Sequence, residues 1–342
     1  MKAVFGSNYP NKVVEIKDVE KPKNLKEDEV LVKTLFCSLC HSDLSMAIGE
    51  WGEKSKTSVG HESIGEVVEI GKNVKDLQVG DYVVGPAGIR GACEECKYCL
   101  RGEEVFCSEG IFIDKRGYGT MQEYTIEKAN FSIKVPKNID LASACIITCA
   151  GLTVYKGFKL ANTIKNDIVA IYGIGGLGNI AIEYAKNVFG LKVIAIGSNE
   201  DSLKIAKEKG ADLIINWKKQ NVESEINKFT NNQGVDLAMV TSSTIEQFSL
   251  ALKSLAPLGK LCSIGLPNKD LNINILDLTF GQKTIYGSLI GTRQDLKEAL
   301  QALYDNKVHP DFEIKSIDKA EKYFELMNEN KLFKRIVFDF SK

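Results

Sequence analysis

The sequence predicts a mixed α/β chain: a β-rich domain, then a doubly wound parallel sheet, then a tail that returns to the first domain. Three observations predict it. The chain has 342 residues, more than a single hydrophobic core ordinarily serves. Its first third alternates short β-like segments with glycine turns, and helical periodicity stays weak until about Leu141. From about Asn166, apolar strand-like runs alternate with amphipathic stretches of helical length, the pattern of a parallel sheet with helices on both faces.

The β-rich domain, residues 1–149, carries strands at Glu29–Phe36, Ser63–Ile70 and Asp81–Val84, broken by Gly60, Gly65, Gly71 and Gly80. The second domain, residues 150–287, opens with a buried-strand run at Asp167–Tyr172, a glycine turn, and a helix at Asn179–Phe189. A strand at Lys192–Ile196 and a helix at Asp201–Lys209 closed by Gly210 follow. Leu213–Asn216, Asp236–Thr241, Lys260–Ile264 and Thr284–Leu289 read as further strands, and Ile245–Leu255 as a helix. The tail, residues 288–342, holds a helix at Asp295–Asp305 and a final strand at Arg335–Phe340.

Composition narrows the function. Apolar residues make up 44% and charged residues 26%, with a formal net charge of −1. Lys and Arg are scattered rather than gathered into a stripe, which argues against nucleic acid or an anionic membrane as partner. Met1–Gly6 lacks the apolar core of a signal peptide, and the apolar run Leu141–Tyr155 is interrupted by Ser143, Thr148 and Thr153 and too short to cross a bilayer. A soluble cytoplasmic protein is expected. Nine cysteines in a reducing compartment point to metal ligation or catalysis, since disulfides do not persist there.

Four of those cysteines form Cys93-x2-Cys96-x2-Cys99-x7-Cys107, a spacing that wraps a tetrahedral Zn²⁺ with no position left open. Glu94, Glu95, Lys97 and Tyr98 between them suit a solvated loop. Such a closed site stiffens a lobe and does not catalyse; the alternative is a set of free surface cysteines. Gly173-x-Gly175-x-x-Gly178 stands between a strand and a helix, where glycines permit a tight turn and a close approach of backbone amides to a pyrophosphate. On its own this pattern is weak; the flanking strands and helices strengthen it. Three further fragments gain meaning only together: Cys40-His41-Ser42-Asp43, Gly60-His61-Glu62 and Cys149-Ala150-Gly151. An open catalytic zinc takes three protein ligands, yet spacing alone does not pair residues this far apart, and a buried cysteine or a satisfied histidine explains each one singly.

These fragments, the four-cysteine loop, Ile147–Tyr155 and the glycine turn occur in the order seen in zinc-dependent medium-chain alcohol dehydrogenases, and the chain resembles that family over essentially its whole length. It is similar above all to the bacterial and yeast branch and the neighbouring cinnamyl-alcohol branch. The resemblance implies a Rossmann doubly wound domain beside a β-rich GroES-like catalytic domain. It implies two Zn²⁺ per chain: a structural one on Cys93, Cys96, Cys99 and Cys107, and a catalytic one on Cys40, His61 and Cys149, with Glu62 a carboxylate able to approach it. Asp43 would orient His61, and Ser42 would take the alcohol proton. His41 and Arg335 match positions that contact the cofactor pyrophosphate, Thr153 one beside the nicotinamide, and Gly173, Gly175, Gly176, Leu177, Gly178 and Leu289 further cofactor contacts. Cys37, a rival ligand on a CxxC reading, is assigned to packing, as are Cys145 and Cys262; His309 is assigned to the surface.

Two departures from the family pattern bear on chemistry. Ile48 stands where many relatives end a proton relay in histidine, and Pro86–Ala92 places small residues where a relative often has a bulky aromatic, with Trp51 either a pocket wall or a loop cap. The strand Lys192–Ile196 ends in Gly197-Ser198-Asn199, where an NAD-dependent relative shows Asp at position 197. Without that carboxylate its repulsion of a 2′-phosphate is gone; Ser198 and Asn199 donate to the phosphate and Lys218 supplies charge, while no arginine follows Ser198, and Glu200 and Asp201 repel it if they point inward. NADP(H) is therefore favoured, with NAD(H) the alternative if Glu200 turns in to read the ribose. The expected activity is interconversion of a primary alcohol and an aldehyde, with a polyol or sugar dehydrogenase, or a non-catalytic cofactor-binding sensor, as alternatives. A homotetramer is the first expectation for the assembly and a homodimer the second.

Overall fold

The computed structural model describes residues 1–52, 54–110, 119–332 and 334–341. Contacts divide the chain into two compact units: Met1–Cys149 with Gly291–Leu300 and Asp311–Lys342, and Ala150–Ile290 with Gln301–Pro310.

The first unit begins with an antiparallel pair, β1 (Lys2–Gly6) and β2 (Val14–Asp18). Next comes β3 (Glu29–Ser38), which pairs with β4 (Glu62–Ile70) and with β6 (Tyr124–Lys128); β4 pairs in turn with β5 (Tyr82–Val84), and β5 with β7 (Ile133–Val135), all antiparallel. Between β3 and β4 lies α1 (His41–Ile48), which closes at Gly49, whose φ of +78° no β-carbon-bearing residue adopts easily.

A long apolar helix follows. It comprises α2 (Leu141–Ile146), N-capped by Asp140, a π turn at Ile147–Gly151, and α3 (Leu152–Ala161). At 21 residues it is long enough to cross a bilayer, contrary to the shorter run read from sequence, but 83% of its most apolar window is buried inside the protein. It is a core helix, and burial rather than length is what sets it apart from a membrane span.

The second unit is a six-stranded parallel sheet. β8 (Ile168–Tyr172), α4 (Gly176–Glu183), β9 (Lys192–Gly197), α5 (Glu200–Glu208), β10 (Leu213–Asn216) and α6 (Val222–Thr230) build one half. The other half is β11 (Val235–Val240), α7 (Ile245–Lys253), β12 (Leu255–Ser263), α8 (Ile275–Phe280) and β13 (Thr284–Gly287). The spatial order β10-β9-β8-β11-β12-β13 reverses direction beside β8, where doubly wound sheets bind their ligands. Its core packs Ala170, Tyr172, Ile194, Ile196, Ala238, Val240 and Leu261 against Ile226, Phe248 and Leu252 of the helices. The chain then continues through α9 (Arg293–Tyr304), β14 (Phe312–Ser316), α10 (Ala320–Asn328) and β15 (Arg335–Asp339). β15 joins the first unit's sheet between β14 and β3, and Phe324, Ile336 and Phe338 close its core.

Candidate functional site

Two clusters of metal-binding side chains stand in the first unit. The ligand atoms of Cys93, Cys96, Cys99 and Cys107 lie within 4.8 Å of one another. The separations are 3.5 Å for Cys93–Cys107, 3.6 Å for Cys96–Cys99 and 3.8 Å for Cys93–Cys99. A tetrahedron with Zn–S bonds of about 2.3 Å has an edge of about 3.8 Å, so the four sulfurs fit that ion. The thiols are unequal: the Cys99 backbone brings the Cys96 thiol down to about 7, while burial pushes Cys99 up to about 12.

The second cluster is Cys40, His61, Glu62 and Cys149, whose ligand atoms also lie within 4.8 Å of one another. Local structure places each. Cys40 caps α1, His61 follows Gly60 (φ +96°) and precedes Glu62, the first residue of β4, and Cys149 sits in the π turn of the long helix, the kind of helix irregularity that often marks a site. Asp43, fully buried, holds two of them: Oδ2 accepts the Cys40 amide at 2.9 Å, and Oδ1 lies 2.8 Å from His61 Nδ1. A carboxylate only accepts, so Nδ1 carries a proton and Nε2 is the nitrogen left for a metal.

The electrostatics fit a cation. A hydrogen bond from the Cys149 thiol holds Cys40 well below the usual thiol range and leaves Cys149 raised. Against burial, which opposes it, the charges of Asp43 and Cys40 lift His61 well above its ordinary value. These protons are what a bound dication releases. Glu62 is pushed up to about 7 by burial, with the Arg335 guanidinium opposing. Its Oε2 accepts from Arg335 Nη1 at 2.5 Å, while its Oε1 is buried with no hydrogen-bond partner among the described residues, an orphaned acceptor among the cluster's ligand atoms. Arg335 also donates to Ser38 Oγ at 3.0 Å, and its side chain is only 6% exposed. Ser38 is a residue sequence reading missed, and no local pattern marks it.

Around the cluster, Ser42 is half-buried and His41 exposed at the start of α1. Ile48 and Trp51 are exposed. The Ala87 amide donates to the Thr148 carbonyl at 3.0 Å, tying the 86–92 run to the turn that carries Cys149. That run is less simple than its small residues suggest: Arg90 is buried, and none of its guanidinium nitrogens has a hydrogen-bond partner among the described residues. Cys37 and Cys145 are buried outside the ligand set, with the Cys145 thiol donating to the Glu62 carbonyl at 3.0 Å.

In the second unit the glycine turn joins β8 to α4. Gly173 takes φ +99°, and a β-carbon there would meet Ser242 at 2.7 Å; one on Gly178 would meet the Gly173 carbonyl at 2.0 Å. At Gly175, the N-cap of α4, a β-carbon would meet nothing within 4 Å, so the helix N-terminus is open to a pyrophosphate. Gly176 is exposed and Leu177 half-buried on the same turn. Gly197 is buried at the end of β9, with Ser198 and Asn199 exposed; Lys218 is exposed, its Nζ 5.8 Å from the Trp217 ring. Thr153 is buried and Leu289 is 51% exposed. Cys262 is buried. His309 is exposed, as expected, and its Nδ1 lies 3.2 Å from the carboxylate of buried Glu183.

Comparison with known proteins bears on the family and the fold. Residues 26–137 match the family described as the alcohol dehydrogenase GroES-like domain, and residues 176–305 the zinc-binding dehydrogenase family. The chain is 40% identical over 342 residues to an alcohol dehydrogenase of Geobacillus stearothermophilus, covering 98% of each. Among solved structures it is similar to the alcohol dehydrogenase of the archaeon Aeropyrum pernix (TM-score 0.90, 27% identity, 99% of this chain and 100% of that one). It is also similar to alcohol dehydrogenase TADH from Thermus sp. ATN1 (TM-score 0.88, 27% identity, 99% of each). A parallel Rossmann-type sheet in one unit and a β-rich unit with two metal-ligand clusters in the other define a zinc-type oxidoreductase of the medium-chain class. The chain belongs to the zinc-dependent medium-chain alcohol dehydrogenase family.

Proposed function

We propose that this protein interconverts primary alcohols and aldehydes over a broad substrate range, with NADP(H) as the favoured hydride carrier and NAD(H) as the alternative. The observation that carries the reading is the convergence of Cys40, His61 and Cys149, with Glu62 in the same cluster but one of its two carboxylate oxygens held by Arg335. Three ligands leave one tetrahedral position for substrate, whereas the four-cysteine cluster leaves none. When bound, zinc supplies Lewis-acid polarisation of the substrate oxygen, and the nicotinamide gives or takes the hydride.

This chain's residues do the rest. Two cysteine thiolates offset the charge of the ion. Asp43 fixes the His61 tautomer and the start of α1 together. Ser42, half-buried two residues past Cys40, takes the alcohol proton. Glu62 offers its orphaned oxygen when the open position is empty. The glycine turn receives the cofactor pyrophosphate, with Thr153 beside the nicotinamide and Leu289 a further contact. Cys149 counts against a polyol or sugar dehydrogenase, which usually carries a carboxylate there. A sensor has no need of an open zinc position.

Six of the nine cysteines lie in clusters with metal-ligand spacing, the use of thiols that a reducing, cytoplasmic location supports. β13 is the outermost strand of its sheet, and Ile275, Leu276 and Phe280 of neighbouring α8 are 65%, 66% and 84% exposed. Such an apolar face supports a homo-oligomer, a homotetramer first and a homodimer second. The function is tested by zinc analysis with initial rates on aliphatic and aromatic aldehydes and alcohols. Two zincs per chain and turnover of branched and aromatic aldehydes are expected. One zinc without turnover would leave a sensor, and activity confined to ethanol and acetaldehyde would remove the broad range.

A further inference from the structure

We propose that Asn216 and Lys219 form the site for the 2′-phosphate of NADP(H), and that the Glu200 carboxylate fills it in the free protein as an internal stand-in. The inference rests on reading the second unit as a dinucleotide site. In a doubly wound sheet the adenosine ribose lies at the carboxyl end of the second strand. That end is Gly197, and Asn216 closes β10 in register with it.

Two donors converge there on one oxygen. Glu200 Oε1 accepts from Asn216 Nδ2 at 2.5 Å and from Lys219 Nζ at 2.8 Å. The Asn216 side chain is buried and its orientation is set, because Oδ1 accepts the Lys218 amide at 3.1 Å. Its Nδ2 also lies 3.4 Å from the Ser198 carbonyl, which puts the pair of donors beside the segment that follows Gly197. A fixed amide and an ammonium aimed at one point make an anion site, and the anion now in it belongs to the chain.

That anion is replaceable. The side chains of Lys219 and Glu200 are 69% and 62% exposed, and an exposed ion pair is held weakly. Glu200 is the first residue of α5, where an anion is favoured, so a phosphate arriving there takes over the same role. A ribose 2′-hydroxyl brings no charge and cannot displace a carboxylate from an ammonium; a phosphate dianion can. Asp201, the other acidic residue of the first turn, opposes the phosphate, and exposed Lys218 favours it. The cluster thus tells the two cofactors apart without a carboxylate at position 197.

Titration calorimetry on the full-length, zinc-loaded protein with 2′,5′-ADP and 5′-ADP tests this apart from turnover. Glu200→Gln, which keeps the acceptor and removes the charge, should tighten 2′,5′-ADP about tenfold and leave 5′-ADP within about twofold, the weight of one charged hydrogen bond. Lys219→Ala should weaken 2′,5′-ADP about tenfold, again sparing 5′-ADP. If Glu200→Gln instead weakens 5′-ADP, Glu200 holds the ribose hydroxyl and the proposal is overturned. It is overturned as well if Lys219→Ala leaves 2′,5′-ADP unchanged. Failure of the unaltered protein to bind either nucleotide would remove the dinucleotide reading with it.

Discussion

Asp43 Oδ1 lies 2.8 Å from His61 Nδ1, and the same carboxylate accepts the amides of Cys40 and Gly60, each at 2.9 Å. One fully buried side chain therefore sets the positions of two of the proposed zinc ligands and the turn before the second. Asp43→Asn keeps the size but removes the charge and half of the acceptor capacity. Zinc affinity at the proposed catalytic site should fall by about 10- to 100-fold, as is usual when a ligand's outer partner is lost. Chelator competition reads this, with retention of the four-cysteine zinc as internal reference. Equal loss of both ions would mean that the variant had simply unfolded.

Removing a ligand gives a different outcome. Cys149→Ala deletes one sulfur from a half-buried position in the π turn, where little core volume is lost. Turnover should vanish while the melting temperature and nucleotide binding persist. Substantial residual activity would show that the three-ligand set is wrong.

For the closed cluster the expectation is reversed. Cys99→Ala should lower the melting temperature by about 3 °C or more, since roughly 2 kcal/mol corresponds to about that shift in a chain of this size. Fully metallated material should keep its rate per active site. A variant that melts normally but does not turn over would overturn this division between the two zinc sites.

Some of this was legible in the sequence, for identifiable reasons. The four-cysteine cluster and the glycine turn are contiguous, and their chemistry demands those residue types at those spacings. The convergence of Cys40, His61 and Cys149 was not legible from spacing; resemblance supplied it, and the structure puts their ligand atoms together. Other features lay hidden because a local pattern was absent or contradicted. α4 begins at Gly176 rather than Asn179, because glycines mask its first turn. β12 begins at Leu255 rather than Lys260, through Pro257 and Gly259, residues that propensity argues against in a strand. The Asn216–Glu200–Lys219 cluster joins the ends of two strands, and the Glu62–Arg335 pair joins β4 to β15; both depend on tertiary contact alone.

The proton released on alcohol oxidation leads to a further test. Ile48 ends α1 with 39% of its surface exposed, so a histidine there costs little packing and reaches water. Without such a group, proton release depends on Ser42, the cofactor ribose and water. Ile48→His should raise the alcohol oxidation rate near neutral pH by about tenfold, the lower end of what a positioned acid–base group contributes. An unchanged rate would mean that proton release does not limit turnover.

Cofactor choice can be reversed at one position. Gly197 ends β9 with a negative φ, and a β-carbon built on it would lie 3.4 Å from Ile174 Cγ1 and Leu203 Cδ2, ordinary contact distances. An aspartate is therefore accommodated without moving the backbone. Its carboxylate would accept from the ribose hydroxyls and repel a 2′-phosphate, adding an acceptor for one cofactor and a like charge against the other. The unaltered protein should show a kcat/KM ratio for NADPH over NADH above one. Gly197→Asp should lower that ratio by about tenfold or more, through loss on NADPH and gain on NADH. Gain on NADH separates a new ribose contact from general damage, which would depress both. A ratio below one in the unaltered protein would make NAD(H) the natural cofactor and leave Glu200 as the residue that reads the ribose.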